Sequence, residues 1–260
     1  MNKMRTKKLI KNIAYFFLNQ FFFFKFYSTK GAILMYHSVG DKEIFFNVRK
    51  NDFIRQMAYL KEKKFNVFSL SQLVERIEKK EPIPKKTVVL TFDDGYEDNY
   101  FNVYPVLKKH NFPATIFLAP DLVGRTTRSK QNISFKILDW PQIQEMFQSG
   151  LIDFQPHGLT HQKLARISLE QAKNEIKKSK EIIERRLDKK CCFFSYPNGD
   201  FNEAVISILR ENGFKAALTV KSGMADRNSD LFKLPRKSVN LETNIVQFKG
   251  KLKFNLNFLK

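Results

Sequence analysis

The chain has 260 residues, 43% of them hydrophobic, which suits one large α/β domain and argues against a disordered protein. Its formal net charge of +20 favours polyanionic partners such as nucleic acid, anionic lipid or phosphorylated substrates. The two cysteines, Cys191 and Cys192, are adjacent, which argues against a disulfide-stabilised scaffold.

Residues 1–30 form a basic, Phe-rich segment without Asp or Glu. Lys, Asn and Gln residues interrupt its apolar run, so it is a poor membrane-spanning helix, and no small-x-small site marks a cleavable signal peptide. On a helical wheel its polar residues gather on one side, which is typical of an amphipathic helix lying on a membrane surface. Packing on its own domain and an uncleaved signal anchor are the alternatives.

Strand and helix patterns alternate along the rest of the chain. Strands are predicted at 32–39, 87–92, 114–120, 151–158, 191–197, 216–220 and 233–239, and helices at 52–63, 99–110, 140–150, 168–187 and 201–212. Repeated β-then-α units predict an α/β fold with a mostly parallel sheet or a closed βα barrel, whose chemistry gathers at the carboxyl ends of the strands. The domain is expected to span residues 31–243, followed by a basic tail at 244–260.

Two adjacent carboxylates, Asp93 and Asp94, follow the apolar strand 87–92 in the stretch TFDDG. Carboxylates this close repel each other unless a positive group lies nearby, and either a surface Lys or Arg or a metal ion would meet this need. A lone Asp-Asp-Gly triplet is most often a simple turn, so its meaning depends on its surroundings in the fold.

Two of the four histidines, His157 and His161, lie four residues apart in the stretch HGLTH. Pro156 and Gly158 favour a loop over a regular helix at this point. Imidazoles at this spacing can bind one ion, and a chance pair on a surface loop is the alternative. One Asp with two His is a familiar ligand set for zinc or another borderline divalent metal.

A third stretch, SYPNG, ends the strand predicted at 191–197. Pro197-Asn198-Gly199 is typical of a turn. In a functional site, such a turn would aim a backbone N–H inward.

In this order, TFDDG, HGLTH and SYPNG resemble the motifs of the polysaccharide deacetylase family, which is carbohydrate esterase family 4 or the NodB-homology domain, over roughly residues 30–240. Two positions depart from the family pattern, since Gly158 replaces a usual Ser or Thr and Ser195 stands where many members have Arg. LDWPQIQEM at 138–146 also resembles a stretch found in one branch of the family. The resemblance implies a distorted (β/α) barrel.

The resemblance also implies residue roles. Asp94, His157 and His161 would bind a divalent metal, with zinc as the expected ion, and Asp93 would be the general base for the attacking water. The backbone N–H of Asn198 would stabilise the oxyanion. Its neighbours Tyr196 and Pro197 complete this oxyanion and substrate segment.

The general acid usual in the family, a late histidine in a Leu-x-His motif, is missing because no histidine follows His161. Arg236 in LPRKSV occupies that region and is a candidate replacement for the Arg absent from the third motif. Some members have a permuted motif order in which an early Tyr-His supplies the acid. His37 in LMYHSV is therefore the candidate acid, and an ordinary core or surface histidine is the alternative.

The resemblance thus predicts a metal-dependent hydrolase that removes acetyl groups from N-acetylated amino sugars of a cell-surface or lipid-linked glycan. A non-catalytic glycan-binding member of the same fold is one alternative. A basic nucleic-acid-binding protein is another, suggested by charge alone, and no nucleic acid is expected as a partner because no known motif for it is present. An anionic membrane surface is an expected partner of the first segment, in a bacterial protein that is cytoplasmic or membrane-associated.

Overall fold

The computed structural model describes residues 29–253. The amphipathic helix expected within residues 1–30 therefore lies outside the described residues, except for Thr29 and Lys30, and so do residues 254–260 at the end of the expected tail.

The described chain alternates strands with helices, as the sequence predicts. The strands are β1 (Ala32–Tyr36), β2 (Ser38–Val39), β3 (Asn47–Val48), β4 (Asn66–Phe68), β5 (Thr87–Phe92), β6 (Ala114–Leu118), β7 (Thr126–Arg128), β8 (Ser134–Lys136), β9 (Ile152–Pro156), β10 (Phe193–Ser195), β11 (Ala216–Leu218) and β12 (Lys237–Ser238). The helices are α1 (Lys50–Glu62), α2 (Leu70–Glu78), α3 (Tyr104–His110), α4 (Trp140–Gln148), α5 (Leu169–Leu187), α6 (Glu203–Glu211) and α7 (Ile245–Lys253).

The central sheet is parallel, in the order β12-β1-β5-β6-β9, and β4 pairs with the first half of β5. A separate parallel pair, β10-β11, continues the curve of this sheet. On one side Leu234 pairs with Leu218 and leads into β12. On the other side Oε1 of Gln155 accepts the backbone N–H groups of Cys192 and Phe193, at 3.0 and 2.9 Å, in place of a strand ladder. The result is a distorted βα barrel.

Side-chain alternation divides the barrel into an inner and an outer face. Along β1, Ala32, Leu34 and Tyr36 join the large cluster beneath the surrounding helices, whereas Ile33 joins a smaller cluster with Val89 of β5. The smaller cluster also includes Phe117, Phe193, Ala216 and Leu218 from other strands. Positions Thr91 and Asp93 continue the register of Val89, so the end of β5 directs Asp93 into the barrel.

The carboxyl-terminal helix extends the packed domain beyond the expected boundary at residue 243. In α7, Phe248 and Leu252 are buried in the large cluster, and the helix packs against α1. Lysines and asparagines interrupt the apolar residues of the tail sequence, which hid this packing face. No helix within residues 29–253 combines the length and apolar content needed to cross a bilayer.

Candidate active site

A sharp turn after β5 places the adjacent carboxylates of Asp93 and Asp94 in different environments. Asp94 and Gly95 have φ angles of 72° and 66°, in the left-handed region. A Cβ on Gly95 would lie 2.3 Å from Cδ2 of Leu118, so any other residue here would strain the left-handed turn and displace the Leu118 side chain. Asp93 is 2% exposed, whereas Asp94 is half-buried.

A buried arginine holds Asp93. The two terminal nitrogens of Arg236 donate to Oδ1 and Oδ2 of Asp93 at 2.7 Å each. The same guanidinium donates from Nε to the carbonyl of Thr219 at 2.9 Å and from a terminal nitrogen to Oγ of Ser195 at 2.9 Å. Arg236 is 0% exposed, so these contacts fix the plane of the Asp93 carboxylate within the barrel.

The charges around Asp93 keep it ionised. Burial by itself raises the pKa of this carboxyl group, but the positive charge of Arg236 and its hydrogen bonds outweigh that effect. The pKa of Asp93 therefore lies well below its ordinary value. The group is a carboxylate, able to accept a proton, across the neutral pH range.

Asp94, His157 and His161 converge on one point, each offering one ligand atom, and these atoms all lie within 4.8 Å of one another. Oδ1 of Asp94 is 3.2 Å from Nε2 of His161 and 3.7 Å from Nε2 of His157. One carboxylate oxygen with two imidazole nitrogens is a donor set suited to zinc and similar divalent ions. Asp93 lies beside this cluster, with its Oδ2 4.0 Å from Nε2 of His157.

A hydrogen bond at the other ring nitrogen fixes the tautomer of His157. Nδ1 lies 2.6 Å from the carbonyl oxygen of Ser195, and since a carbonyl can only accept, Nδ1 carries the proton. Nε2 therefore carries a free lone pair, which faces the point where Asp94, His157 and His161 converge. Burial lowers the pKa of His157 to about 4, so the ring is neutral, as metal binding requires. The three residues thus fit a divalent ion.

A buried glutamate shapes the loop between the two histidines. Oε2 of Glu175, on α5, accepts the backbone N–H groups of Leu159 and Thr160 at 2.8 and 2.9 Å, and Oε1 accepts the Thr160 hydroxyl at 2.6 Å. Gly158 has a φ of 75°, and a Cβ there would lie 3.2 Å from Oε2 of Glu175. This left-handed, crowded position accounts for glycine where the family usually has Ser or Thr.

The third motif, SYPNG, contributes two buried residues, Tyr196 and Pro197, and one exposed residue, Asn198, beside the site. Tyr196 is 0% exposed and its hydroxyl donates to the carbonyl of Phe232 at 2.9 Å, so its side chain is a structural support and cannot reach a substrate, contrary to its expected place in the substrate segment. Pro197 is buried beside Gly158. Asn198 is exposed, with a left-handed φ of 56°, in the turn that follows β10.

His37 follows β1, which is the neighbour of β5 in the sheet. The N–H of Asp93 donates to the carbonyl of Tyr36 at 2.9 Å, so His37 and Asp93 leave the sheet side by side. His37 is half-buried, its carbonyl accepts Nδ2 of Asn99 at 2.9 Å, and its ring is 6.0 Å from that of Phe46. The structure therefore brings His37 to the same end of the barrel as the carboxylates and His157.

Sequence reasoning missed two residues that hold this geometry. The hydroxyl of the buried Tyr96 hydrogen-bonds to Asp94, and burial followed by the charge of Asp94 raises the pKa of that phenol. Glu175 was missed although it leaves a signal in the sequence. It is a charged residue within the buried stripe of α5, beside Ala172, Ile176 and Ser179.

Comparison with known proteins is consistent with this geometry. The family model for polysaccharide deacetylase matches residues 80–217. The chain is 30% identical over 225 residues to the poly-beta-1,6-N-acetyl-D-glucosamine N-deacetylase of Staphylococcus epidermidis, covering 81% of this chain and 75% of the relative.

Solved structures share the fold. The Streptococcus pyogenes deacetylase PplD in complex with acetate superposes with a TM-score of 0.77 at 25% identity, covering 86% of this chain and 99% of that one. The polysaccharide deacetylase BC0361 from Bacillus cereus gives a TM-score of 0.73 at 26% identity, covering 86% and 69% of the two chains. The distorted barrel predicted from the sequence is thereby confirmed.

Proposed function

Because the chain belongs to the polysaccharide deacetylase family, we propose that it is a metal-dependent hydrolase that removes N-acetyl groups from a glycan of N-acetylated amino sugars. The relative named for poly-beta-1,6-N-acetyl-D-glucosamine supports that polymer as the first substrate to test. The single observation on which the proposal depends is the cluster of Asp94, His157 and His161 beside a carboxylate that Arg236 holds ionised.

Asp94, His157 and His161 are the residues that would hold the ion, with zinc as the expected metal. When bound, the ion would supply Lewis acidity for the attacking water and for the acetyl carbonyl. The chain supplies the remaining groups, and the arrangement of Tyr96 on Asp94 and of Ser195 on His157 orients the ligands in advance.

The proposed reaction uses Asp93 as the base. Its carboxylate accepts a proton from the water whose oxygen attacks the acetamide carbonyl. The backbone N–H of the exposed Asn198 donates to the oxyanion that this attack creates. His37 then protonates the amide nitrogen, because the C–N bond breaks to release acetate only when the leaving amine has received a proton.

Acetate release is the direct test. Purified full-length protein, incubated with poly-N-acetylglucosamine, should release acetate after addition of Zn²⁺ and lose this activity in a chelator. An Asp93→Asn variant prepared in parallel controls for contaminating deacetylases. If the wild-type protein binds the polymer but releases no acetate with zinc, cobalt, nickel or manganese, the chain is a glycan-binding member of the family instead.

We also propose that residues 1–30 associate the enzyme with a membrane surface. The support is the sequence of that segment, which combines Lys and Arg with a Phe-rich apolar run and has no acidic residue. Removal of residues 1–28 should lower the share of the protein in the membrane fraction without loss of acetate release. An unchanged share of the truncated protein in the membrane fraction would contradict this role.

A further inference from the structure

The two ends of the barrel differ in charge. The loops at the amino ends of the strands, here called the basic end, contain eleven Lys and Arg and four Asp and Glu residues, in segments 29–31, 63–65, 79–86, 111–113, 149–151, 188–192, 212–215 and 226–230. The loops at the carboxyl ends, here called the catalytic end, contain nine basic and ten acidic residues, in segments 37–49, 93–103, 119–139, 157–168, 196–202, 219–224 and 239–244. Positive charge is therefore concentrated opposite the site.

Most cations of the basic end face solvent, with Lys86 and Lys189 as the partly buried exceptions. Lys80, Lys85, Lys190 and Lys215 are all exposed, and they come from loops before three different strands. Among the ion-paired cations of this end, Lys30, Lys63 and Lys79 are about half exposed, whereas Lys189 is largely buried in its pair with Asp153 and is not part of the exposed charge. A surface with this charge attracts an extended anionic partner more strongly than a single small anion.

The chain leaves the barrel at this same end. Gly31 exchanges backbone hydrogen bonds with Ala225, at 2.8 and 2.9 Å, and this pairing fixes the point from which residues 1–28 depart. Those residues contain six Lys and Arg, seven Phe and no acidic residue. The phosphate headgroups of a bilayer would match the cations of the basic end and of residues 1–28, and its acyl layer would match the phenylalanines. A soluble polyanion or a nucleic acid would match the charge alone.

We propose that the basic end is a docking surface for an anionic lipid bilayer and that docking points the catalytic end away from the bilayer. Strands of five or six residues span about 17–20 Å, which separates the site from the docked surface. In combination with the proposed function, this orientation selects a glycan polymer that extends from the surface. It disfavours an amino sugar whose lipid carrier is embedded in the same bilayer.

Charge reversal in the full-length chain tests the docking surface. A Lys80→Glu, Lys85→Glu, Lys190→Glu variant should bind vesicles containing phosphatidylserine at least tenfold more weakly than wild type in a flotation assay. A matched variant carrying Lys130→Glu, Lys163→Glu and Lys173→Glu, which changes the net charge equally at exposed positions away from the basic end, should lose less than threefold. Equal losses in the two variants would overturn the proposal, and thermal unfolding of both verifies that they are folded.

Depth-dependent quenching tests the orientation separately. A fluorophore attached through Lys80→Cys, in a Cys192→Ser background, should be quenched by headgroup-labelled lipids, whereas one attached through Lys130→Cys should not. Stronger quenching at position 130 than at position 80 would show that the catalytic end faces the bilayer and would overturn the proposal. Neither measurement requires substrate, so a failure of the deacetylase assignment would leave both results interpretable.

Discussion

Arg236 and Asp93 form a buried, bidentate ion pair, with both oxygen–nitrogen distances at 2.7 Å. The pair joins β5 to the segment before β12, and it places a fixed negative charge next to the cluster of Asp94, His157 and His161. The same contact therefore stabilises the barrel and orients the proposed base. The two contributions can be separated by experiment, because stability and turnover are measured independently.

Arg236→Ala should lower the free energy of unfolding by about 3–5 kcal/mol, because it leaves the Asp93 charge buried without a partner. Arg236→Lys should recover part of the stability but little of the turnover, since an ammonium cannot bind both carboxylate oxygens in one plane. Arg49→Ala is the matched control, as Arg49 binds both oxygens of Glu43 at the exposed surface and should contribute less than about 1 kcal/mol. Chemical denaturation measures all three, and equal losses in Arg236→Ala and Arg49→Ala would refute the argument from burial.

Asp93→Asn should retain the metal and lose about 10²–10⁴-fold in turnover, because the base is removed while the three ligands remain. Acetate release and metal content are to be measured on the same preparation. A variant that keeps wild-type turnover would show that another group accepts the proton from water.

Asp94→Asn and His161→Ala should each abolish stoichiometric binding of a divalent ion, because each removes one of the three converging side chains proposed to hold it. Elemental analysis after zinc loading and dialysis measures this directly, and acetate release should disappear in parallel. His110→Ala, which removes a histidine at the end of α3, is the control and should bind one ion per chain. If wild-type protein takes up no ion and shows no dependence on one, the metal assignment is wrong.

Glu175→Gln should weaken metal affinity by about 10–100-fold while leaving all three ligands in place. The substituted amide can offer only one acceptor oxygen to the three donors of Leu159 and Thr160 that now bind the two carboxylate oxygens, so the loop before His161 loses its support. Competition with a zinc-binding dye measures the affinity. Glu181→Gln, at an exposed position on the same helix, should leave it unchanged, and an equal effect there would point to helix charge as the cause.

His37→Ala should lower hydrolysis of the amide by about 10²–10⁴-fold and leave metal content intact, if His37 protonates the leaving nitrogen. Hydrolysis of an activated acetyl ester should fall much less, because its leaving group departs without a proton. Paired measurements on the two substrates decide between an acid and a structural histidine, and equal losses would assign His37 a structural role.

Local pattern was enough to predict most of the barrel elements and the composition of the site. The alternation of apolar residues in strands and their helical spacing depend on near neighbours in the chain, so the strand at 87–92 was predicted with the bounds observed. The sequence pattern does not predict the helix Leu70–Glu78, although Ser69 and Gln72 form a capping box at its start, and it predicts a tail where the structure has the helix Ile245–Lys253. In both cases the apolar residues are few and stand among charged ones, so the local pattern does not predict a helix. The helix becomes recognisable only from the surface against which these apolar residues pack.

The residue types at the ends of the strands can be read from the sequence alone: two carboxylates after β5, two histidines after β9 and a Pro-Asn-Gly turn after β10. How these residues act together depends on contacts that form only in the folded barrel. Asp93 and Arg236 are 143 residues apart, and Glu175 reaches its loop from a helix that the motifs do not include. Such pairings depend on how the barrel closes, and since closure arises from the packing of all its strands, no local stretch of sequence specifies it.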